Sequence, residues 1–168
     1  EVVAALDGAP AIVQNLQAAL DDPTQTPCVL ALDIDFFKKV NDTHGHQTGD
    51  QVLIHFCRTI ETMLRKGDLL GRMGGEEFLV VANTLSLADA MGLAERIRAA
   101  IAGTPCLCSP DTPIAITTSV GVAQPHVGET MEQLLERADE ALYRAKHAGR
   151  NRVMMAGAAM AMSSYSDT

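Results

Sequence analysis

The chain has 168 residues, enough for about one domain with its own hydrophobic core. Hydrophobic residues make up 47% and charged residues 20%, as in soluble globular proteins, and the net charge of −8 argues against binding to a nucleic-acid polymer. No apolar run reaches the ~18 residues of a membrane-spanning helix. Because the first residue is Glu1 rather than Met, we expect a cytoplasmic fragment of a longer protein, with a regulatory domain upstream and room for a membrane anchor.

The spacing of apolar residues predicts a mixture of helices and strands. Helices are expected where apolar residues recur every three or four positions, and strands where short apolar or β-branched runs lie between turn residues. In chain order, the sequence predicts a helix over 10–20, a strand over 28–33, a short helix over 36–44, a helix from Thr48 to Lys66, a hairpin over 68–83, a helix from Ser86 to Ile101, a strand over 114–123, a helix from Thr130 to Ala148 and a strand over 152–155.

Capping signals mark three of these helix starts. Thr48 with Gln51 and Thr130 with Gln133 have the spacing of a capping box, and Ser86 is placed to cap the helix that follows the hairpin. The mixture of elements, with one clear hairpin, predicts an α/β (α+β) sandwich. Its central sheet is expected to be mixed, partly antiparallel, about five strands wide and flanked by helices.

The cysteines are scattered and do not form a zinc-binding pattern, because Cys106 and Cys108 lack a second pair of ligands at zinc spacing. We expect these two residues, together with Cys28 and Cys57, to be small buried hydrophobic residues in a reducing cytoplasm.

Two adjacent glutamates stand in front of a predicted buried strand, in the stretch R-M-G-G-E-E-F-L-V-V over residues 72–81. A buried, unpaired carboxylate costs several kcal/mol, so such groups are paired, metal-bound or solvated. If the hairpin lies beside the strand that ends at Asp33, three carboxylates meet at one sheet edge. Mg²⁺ prefers oxygen ligands and shares its shell with phosphates, so a metal site would explain Glu76 and Glu77. The alternative is a solvated hairpin turn.

These residues resemble the signature of the GGDEF family, the diguanylate cyclases, in a G-G-E-E-F variant. Three further blocks resemble the family in the same order: D-I-D-F-F-K-K-V-N-D-T-H-G-H-Q-T-G-D over 33–50, T-S-V-G-V-A over 118–123 and R-A-D-E-A-L-Y-R-A-K-H-A-G-R-N over 137–151. The resemblance implies a sheet of the palm-like, nucleotidyl-cyclase type.

The resemblance covers about residues 28–155, which we expect to be the catalytic domain. Residues 1–27 are expected to hold a linker and a short helix, and residues 156–168 a flexible tail.

The resemblance implies that the domain joins two GTP molecules into cyclic di-GMP and releases two pyrophosphates. Each 3′-hydroxyl attacks the other nucleotide's α-phosphate, so two domains must face each other in a homodimer. Two Mg²⁺ ions per site, or Mn²⁺, would act as clamp and hydroxyl activator. By the same resemblance the metal shell comprises Asp33, the Ile34 carbonyl, Glu76 and Glu77, and Glu76 also helps to deprotonate the attacking hydroxyl.

The base-reading positions of the family match Asn41 and Asp50, whose amide and carboxylate suit the guanine edge. A helix C-cap for Asn41 and a first-turn acid for Asp50 are the structural alternatives. His46 lies between them and would help to hold the base or ribose, unless it is an ordinary loop histidine.

The resemblance also implies several contacts to the phosphates. Backbone amides at a helix start and cations at a helix end can bind phosphate. The structural alternatives are that the cations stabilise a helix C-terminus and that Arg72 is an ordinary cation on a strand. The residues implied are Phe37 and Lys38 at a helix start, Arg72 near the α-phosphate, Gly74 and Gly75 at the turn, and Lys146 and Arg150 at a helix end.

Arg65-Lys66-Gly67-Asp68 fits the family's RxxD inhibitory site, at the family's usual distance before the two glycines. By this resemblance Arg65 and Asp68 would grip a cyclic di-GMP dimer together with Arg96 from the next helix, so feedback inhibition by the product is implied. The alternative is a charge pair at a helix end.

An active cyclase is the leading hypothesis, because no acid of the G-G-E-E-F motif is missing. One alternative is a module that binds GTP or cyclic di-GMP without turnover. Another is a structural dimerisation domain, which explains the apolar faces but not the glutamates. A cyclase for another nucleotide also stays open, because base choice depends on Asn41 and Asp50 alone.

Overall fold

The computed structural model describes residues 8–84, 86–108 and 112–157. Its helices are α1 (Ala9–Asp21), α2 (Phe37–His44), α3 (His46–Glu61), α4 (Leu87–Gly103) and α5 (Met131–His147). Its strands are β1 (Pro27–Ile34), β2 (Leu69–Gly74), β3 (Glu77–Asn83), β4 (Thr118–Ala123) and β5 (Val153–Met155).

The strands form one five-stranded sheet in the order β2-β3-β1-β4-β5. Strand β1 is antiparallel to both of its neighbours, β2 is antiparallel to β3, and β4 and β5 are parallel. The prediction of a mixed, partly antiparallel sheet of about five strands flanked by helices is therefore confirmed.

Two apolar layers cover the two faces of the sheet. Successive side chains of β1 point to opposite faces, so Leu30 and Leu32 pack with α3 and α4 while Val29 and Ala31 pack with α1 and α5. All eight residues of β1 are buried, because helices cover this central strand on both sides.

Helix α1 packs on the sheet through fully buried apolar residues, among them Ile12 and Leu16.

The predicted domain limits at residues 28 and 155 stay a prediction. Apart from residues 156 and 157, the predicted tail lies outside the described residues, as do residues 1–7 of the predicted linker. Among the described helices, none combines the length and apolar character needed to cross a bilayer.

The third helix differs from its prediction at both ends. Helix α3 begins at His46, directly after Gly45, whose φ of 89° allows the chain to turn there between α2 and α3. Thr48 and Gln51 consequently lie inside the helix, and the predicted capping box is wrong. The helix ends at Glu61 rather than Lys66. By contrast, Ser86 caps α4 as predicted.

The predicted box of Thr130 and Gln133 is confirmed at the start of α5. The strand predicted over 114–123 is shorter, since β4 begins at Thr118, which pairs with Ile34 at the end of β1. Residues before Thr118 extend beyond β1, and Ile114 forms an isolated bridge with Cys106 instead.

Cys106 is buried in the core, as predicted, and Cys108 packs against it; the prediction did not include the disulfide that joins the two residues. Their Cα atoms are 5.4 Å apart, within the usual range for a disulfide. Cys28 and Cys57 are free and buried, as predicted. Burial raises the pKa of Cys28 to about 11 and that of Cys57 to about 12, so both remain protonated thiols at neutral pH.

Candidate active site

Three acidic residues meet at one edge of the sheet, where the turn between β2 and β3 lies beside the end of β1. Asp33 is opposite Glu77 in the β1–β3 pairing, and the Ile34 N–H donates to the Glu76 carbonyl at 3.4 Å. Gly75 turns the chain here with a φ of 46°, a conformation that favours glycine. The structure thus places the three acidic residues at the same edge of the sheet, as the sequence predicts.

Asp33 is the buried member of this group, with 3% of its surface exposed. Burial raises its pKa to about 6; the Lys146 ammonium opposes that rise, and the negative charges of Glu76 and Glu77 add to it. The Lys146 Nζ atom donates to Asp33 Oδ2 in an ion pair between α5 and β1.

The other carboxylate oxygen of Asp33 fits a cation. Oδ1 is buried and has no hydrogen-bond partner among the described residues. A buried acceptor without a partner is unfavourable, and a bound cation satisfies it. Within the described residues, no three His, Cys, Asp or Glu side chains stand together as a ready metal cage. A metal at Asp33 would therefore depend on backbone carbonyls, waters or phosphate oxygens as well, which is how Mg²⁺ is usually held.

The raised pKa of Asp33 predicts that the stability of the folded domain depends on pH. A carboxyl whose pKa is higher in the folded protein stabilises the fold at low pH and loses that contribution as the pH rises through its folded pKa, here about 6. Asparagine does not titrate, so the Asp33→Asn variant lacks this loss. In EDTA, the free energy of unfolding of the variant minus that of the parent should therefore increase from pH ~4.5 to pH ~7. Urea unfolding at several pH values measures this difference, and a difference that does not vary with pH would contradict it.

Helix α5 reaches Asp33 because it lies directly on β4 at Gly121. A Cβ atom built at Gly121 would lie 2.2 Å from the Ala138 carbonyl oxygen and 2.4 Å from the Leu142 nitrogen. Only glycine permits this approach of helix and strand. The family-like block T-S-V-G-V-A therefore acts through packing, by holding the helix that carries Lys146.

The predicted base-reading residues lie on the adjacent helices α2 and α3. Asn41 packs against Gly49, where a Cβ atom would overlap the Asn41 side chain. Asn41 lies before the end of α2, whose C-cap is Gly45, and Asp50 lies beyond the first turn of α3. The structural alternatives of a C-cap and a first-turn acid therefore apply to neither residue. Asp50 and His46 are exposed, as contact with a ligand requires.

The remaining predicted phosphate contacts lie at the turn between β2 and β3 and near the start of α2, which follows β1. The Arg72 Nε atom donates to the Gly75 carbonyl at 2.9 Å, so this side chain lies over the turn. Phe37 and Lys38 begin α2, and Phe37 itself is buried in the core. The Arg150 guanidinium carbon lies 4.5 Å from the centre of the Phe36 ring, directly before this helix start.

The family profile described as "Diguanylate cyclase, GGDEF domain" matches residues 9–152, which is most of the chain. The chain belongs to the GGDEF family. The resemblance seen in its four sequence blocks is therefore confirmed.

Two curated relatives and one solved structure illustrate this membership. The response regulator PleD of Caulobacter vibrioides is 47% identical over 127 residues, which are 74% of this chain and 28% of the relative. The diguanylate cyclase DgcM of Escherichia coli is 44% identical over 128 residues, or 76% of this chain and 30% of the relative. The chain spans less than a third of either relative.

The solved structure contains the coiled coil and GGDEF domain of DgcB from Caulobacter crescentus in complex with c-di-GMP. It matches with a TM-score of 0.85 and 34% sequence identity, over 93% of this chain and 84% of that one.

The residues of the RxxD pattern in this GGDEF chain have different surroundings. The Asp68 side chain is 2% exposed, and its carboxylate accepts from the backbone N–H groups of Arg65 at 2.8 Å and Asn83 at 3.1 Å. The Arg65 side chain is 67% exposed. Arg65 and Arg96 both line a cavity of about 220 Å³ beside α4. The two arginines therefore face a common space, whereas Asp68 is largely engaged by the fold.

Asp35 is a residue near the site that the sequence interpretation did not single out. It is 5% exposed and accepts hydrogen bonds from Thr117, Ser119 and Asn151. The D-I-D alternation places Asp35 two residues after Asp33, on the same side of the chain. It does not predict the hydrogen-bond partners of Asp35, which are more than 80 residues away in the sequence.

Proposed function

We propose that this GGDEF domain is an active diguanylate cyclase that condenses two GTP molecules into cyclic di-GMP. The observation that carries the proposal is the buried Asp33 carboxylate, whose Oδ1 is unpartnered and which lies beside Glu76 and Glu77. A fold that only dimerises would gain nothing from a costly buried carboxylate at a sheet edge. DgcB, a relative of the same fold, is described in complex with the proposed product.

The reaction would form one bond and break one bond at each α-phosphorus. The 3′-oxygen of one GTP attacks the α-phosphorus of the other, and the bond from that phosphorus to the bridging oxygen of the β-phosphate breaks, releasing pyrophosphate. Glu76 would accept the proton of the attacking hydroxyl on a carboxylate oxygen. Because one domain would hold one GTP, both nucleotides come together only in a homodimer.

The metal site of the proposal comprises Asp33, the Ile34 carbonyl, Glu76 and Glu77, with two Mg²⁺ ions, or Mn²⁺, per site. Bound there, the metal would polarise the α-phosphate and favour ionisation of the hydroxyl. Lys146 already neutralises Asp33 in the ion pair with α5, and in the proposal it would turn to the nucleotide's phosphates. Arg72 and Arg150 would add positive charge where negative charge builds up in the transition state.

Base selection would depend on Asn41 and Asp50, which the structure places on adjacent helices around Gly49. The Asp50 carboxylate can accept from guanine N1–H and N2–H, and the Asn41 amide can pair with O6 or N3. His46, exposed at the start of α3, would support the base or ribose. A cytoplasmic location and an upstream regulatory domain stay predictions.

The experiment that tests the proposal is incubation of the concentrated domain with GTP and Mg²⁺, followed by chromatographic separation of the nucleotides. High protein concentration is needed because catalysis would require the homodimer. Appearance of cyclic di-GMP and pyrophosphate supports the cyclase. Absence of product at every concentration, with tight binding of cyclic di-GMP, would instead identify a receptor module.

The proposal includes feedback inhibition through Arg65, Arg96 and Asp68. The shared cavity beside α4 supports it, because two guanidinium groups suit the phosphates and guanine edges of cyclic di-GMP.

Two substitutions at the proposed inhibitory site are expected to have different effects. Arg65→Ala removes a side chain that is 67% exposed, so it should relieve product inhibition at little cost in stability. Asp68→Ala should also destabilise the domain by about 1–3 kcal/mol, because two backbone N–H groups lose their acceptor. Progress curves with added cyclic di-GMP and urea unfolding measure the two effects. An Arg65→Ala variant that reaches the same plateau as the parent would contradict the inhibitory role.

A further inference from the structure

Left-handed backbone conformations of non-glycine residues gather at one corner of the molecule. Among the described residues, the only non-glycine residues with positive φ are Phe36 at 56°, Arg150 at 64° and Asn151 at 47°. Such conformations are unfavourable for residues with a Cβ atom, and they persist only where the surroundings fix them. What fixes them here therefore indicates what this corner does.

Asp35 connects the three segments that meet at this corner. Its Oδ2 accepts from the Thr117 hydroxyl at 2.6 Å and from the Asn151 backbone N–H at 3.0 Å, while Oδ1 accepts from the Ser119 hydroxyl at 2.7 Å. The carboxylate is buried, so these bonds are shielded from competing water. Asp35 thereby ties the end of β1 to β4 and to the segment between α5 and β5.

Arg150 is held on both sides by this arrangement. Its backbone N–H donates to the Ala145 carbonyl at 3.0 Å, and the next residue, Asn151, donates to Asp35. Its guanidinium lies over the ring of Phe36, the residue before α2, in a cation–π contact. The side chain is therefore directed toward the start of α2, and it follows the end of the helix that carries Lys146.

We propose that Asp35 is a positioning residue, which fixes the left-handed Arg150–Asn151 turn and thereby directs Arg150 toward the start of α2, at the phosphates beyond the α-phosphate that the metal and Arg72 would hold. This inference rests on the proposed function, in which Arg150 contacts phosphate. Asp35 does not itself touch the substrate. Its effect depends on the hydrogen bond to the Asn151 N–H, because that bond joins the buried carboxylate to the turn.

Binding of two nucleotides by isothermal titration calorimetry with Mg²⁺ tests this role. The α,β-methylene analogue of GTP carries the three phosphorus groups but cannot release pyrophosphate, and GMP lacks the β- and γ-phosphates. Asp35→Ala should weaken the analogue about 10-fold, the effect of one misplaced charge-assisted contact, and leave GMP within about twofold. Equal weakening of both nucleotides would show a general structural role and overturn the proposal.

A matched pair at Asn151 keeps Asp35 intact, which matters if Asp35→Ala does not fold. Both Asn151→Gly and Asn151→Val lose the 2.8 Å hydrogen bond from Arg98 to the Asn151 side chain. Glycine accepts the φ of 47°, whereas β-branched valine opposes it. The valine variant should weaken the methylene analogue about 10-fold and the glycine variant less than about twofold. Equal affinities of the two variants would overturn the proposal.

Combination with Arg150→Ala shows whether the effect passes through Arg150. In that background, Asn151→Val should cause no further loss of affinity for the methylene analogue, since the directed side chain is absent. A full additional loss would overturn the proposal. If Arg150→Ala alone leaves the affinity unchanged, the inference fails. The proposed cyclase would still stand wherever the parent domain produces cyclic di-GMP.

Discussion

Glu76→Gln is expected to lower the rate of cyclic di-GMP formation by about 10²–10⁴-fold, the usual contribution of a positioned general base. Glutamine has nearly the same shape, so the turn after Gly75 should remain intact. It cannot accept the proton of the attacking hydroxyl, and it is a weaker ligand for a divalent cation than a carboxylate. The loss should therefore appear mainly in kcat rather than in the KM for GTP.

The measurement is the initial rate at saturating GTP and Mg²⁺, over a series of protein concentrations that separates catalysis from dimerisation. Glu61→Gln is the matched control, because Glu61 is an exposed glutamate at the end of α3 and is not one of the predicted site residues. It should keep the parent rate. A Glu76→Gln variant that also works at the parent rate would contradict the role given to Glu76, although the parent's product would still identify a cyclase.

Local sequence patterns predicted that Asp33, Glu76 and Glu77 lie at one edge of the sheet. This was possible because the three residues adjoin strands with clear apolar runs. Glu76 and Glu77 directly precede a strand whose apolar run is unmistakable, and the buried run before Asp33 predicted the neighbouring strand. Antiparallel pairing of these strands then brings the acids together. This part of the site could be predicted from strand patterns before any partner was known.

Contacts between distant segments could not be predicted in this way. The ion pair between Lys146 and Asp33 joins residues 113 positions apart, and it depends on how closely α5 approaches β4. The bonds of Asp35 to Thr117 and Asn151 span similar distances along the chain. Periodicity predicts which face of an element is buried, but it does not determine which polar group of another element will lie opposite.

Two local predictions were wrong or incomplete because a neighbouring sequence signal was given too little weight. The Thr48–Gln51 spacing fits a capping box, but Gly45 allows the chain to enter α3 three residues earlier. For Cys106 and Cys108, the expectation of a reducing cytoplasm led to a prediction without a disulfide. Their Cα separation of 5.4 Å suits the disulfide that the structure contains.

Gly121→Ala is expected to destabilise the domain by about 3 kcal/mol, at the upper end of the usual cost of overpacking a core. The added methyl group would meet the Ala138 carbonyl oxygen and the Leu142 nitrogen, which are backbone atoms of α5. Backbone atoms cannot rotate away as a side chain can, so the whole helix must shift from β4. At roughly 2–4 °C per kcal/mol, the thermal midpoint should fall by about 6–12 °C.

The control is Gly103→Ala at the end of α4, where an added Cβ atom would meet no neighbour within 4 Å. It should be neutral or stabilising by up to ~1 kcal/mol, because alanine favours helix more than glycine does. Urea unfolding compares both variants with the parent. Any folded Gly121→Ala protein should also lose cyclase activity, since a shifted α5 moves Lys146 away from the place where it would contact the nucleotide's phosphates. A Gly121→Ala domain as stable as the Gly103→Ala domain would show that the position of α5 is not set by direct contact with β4.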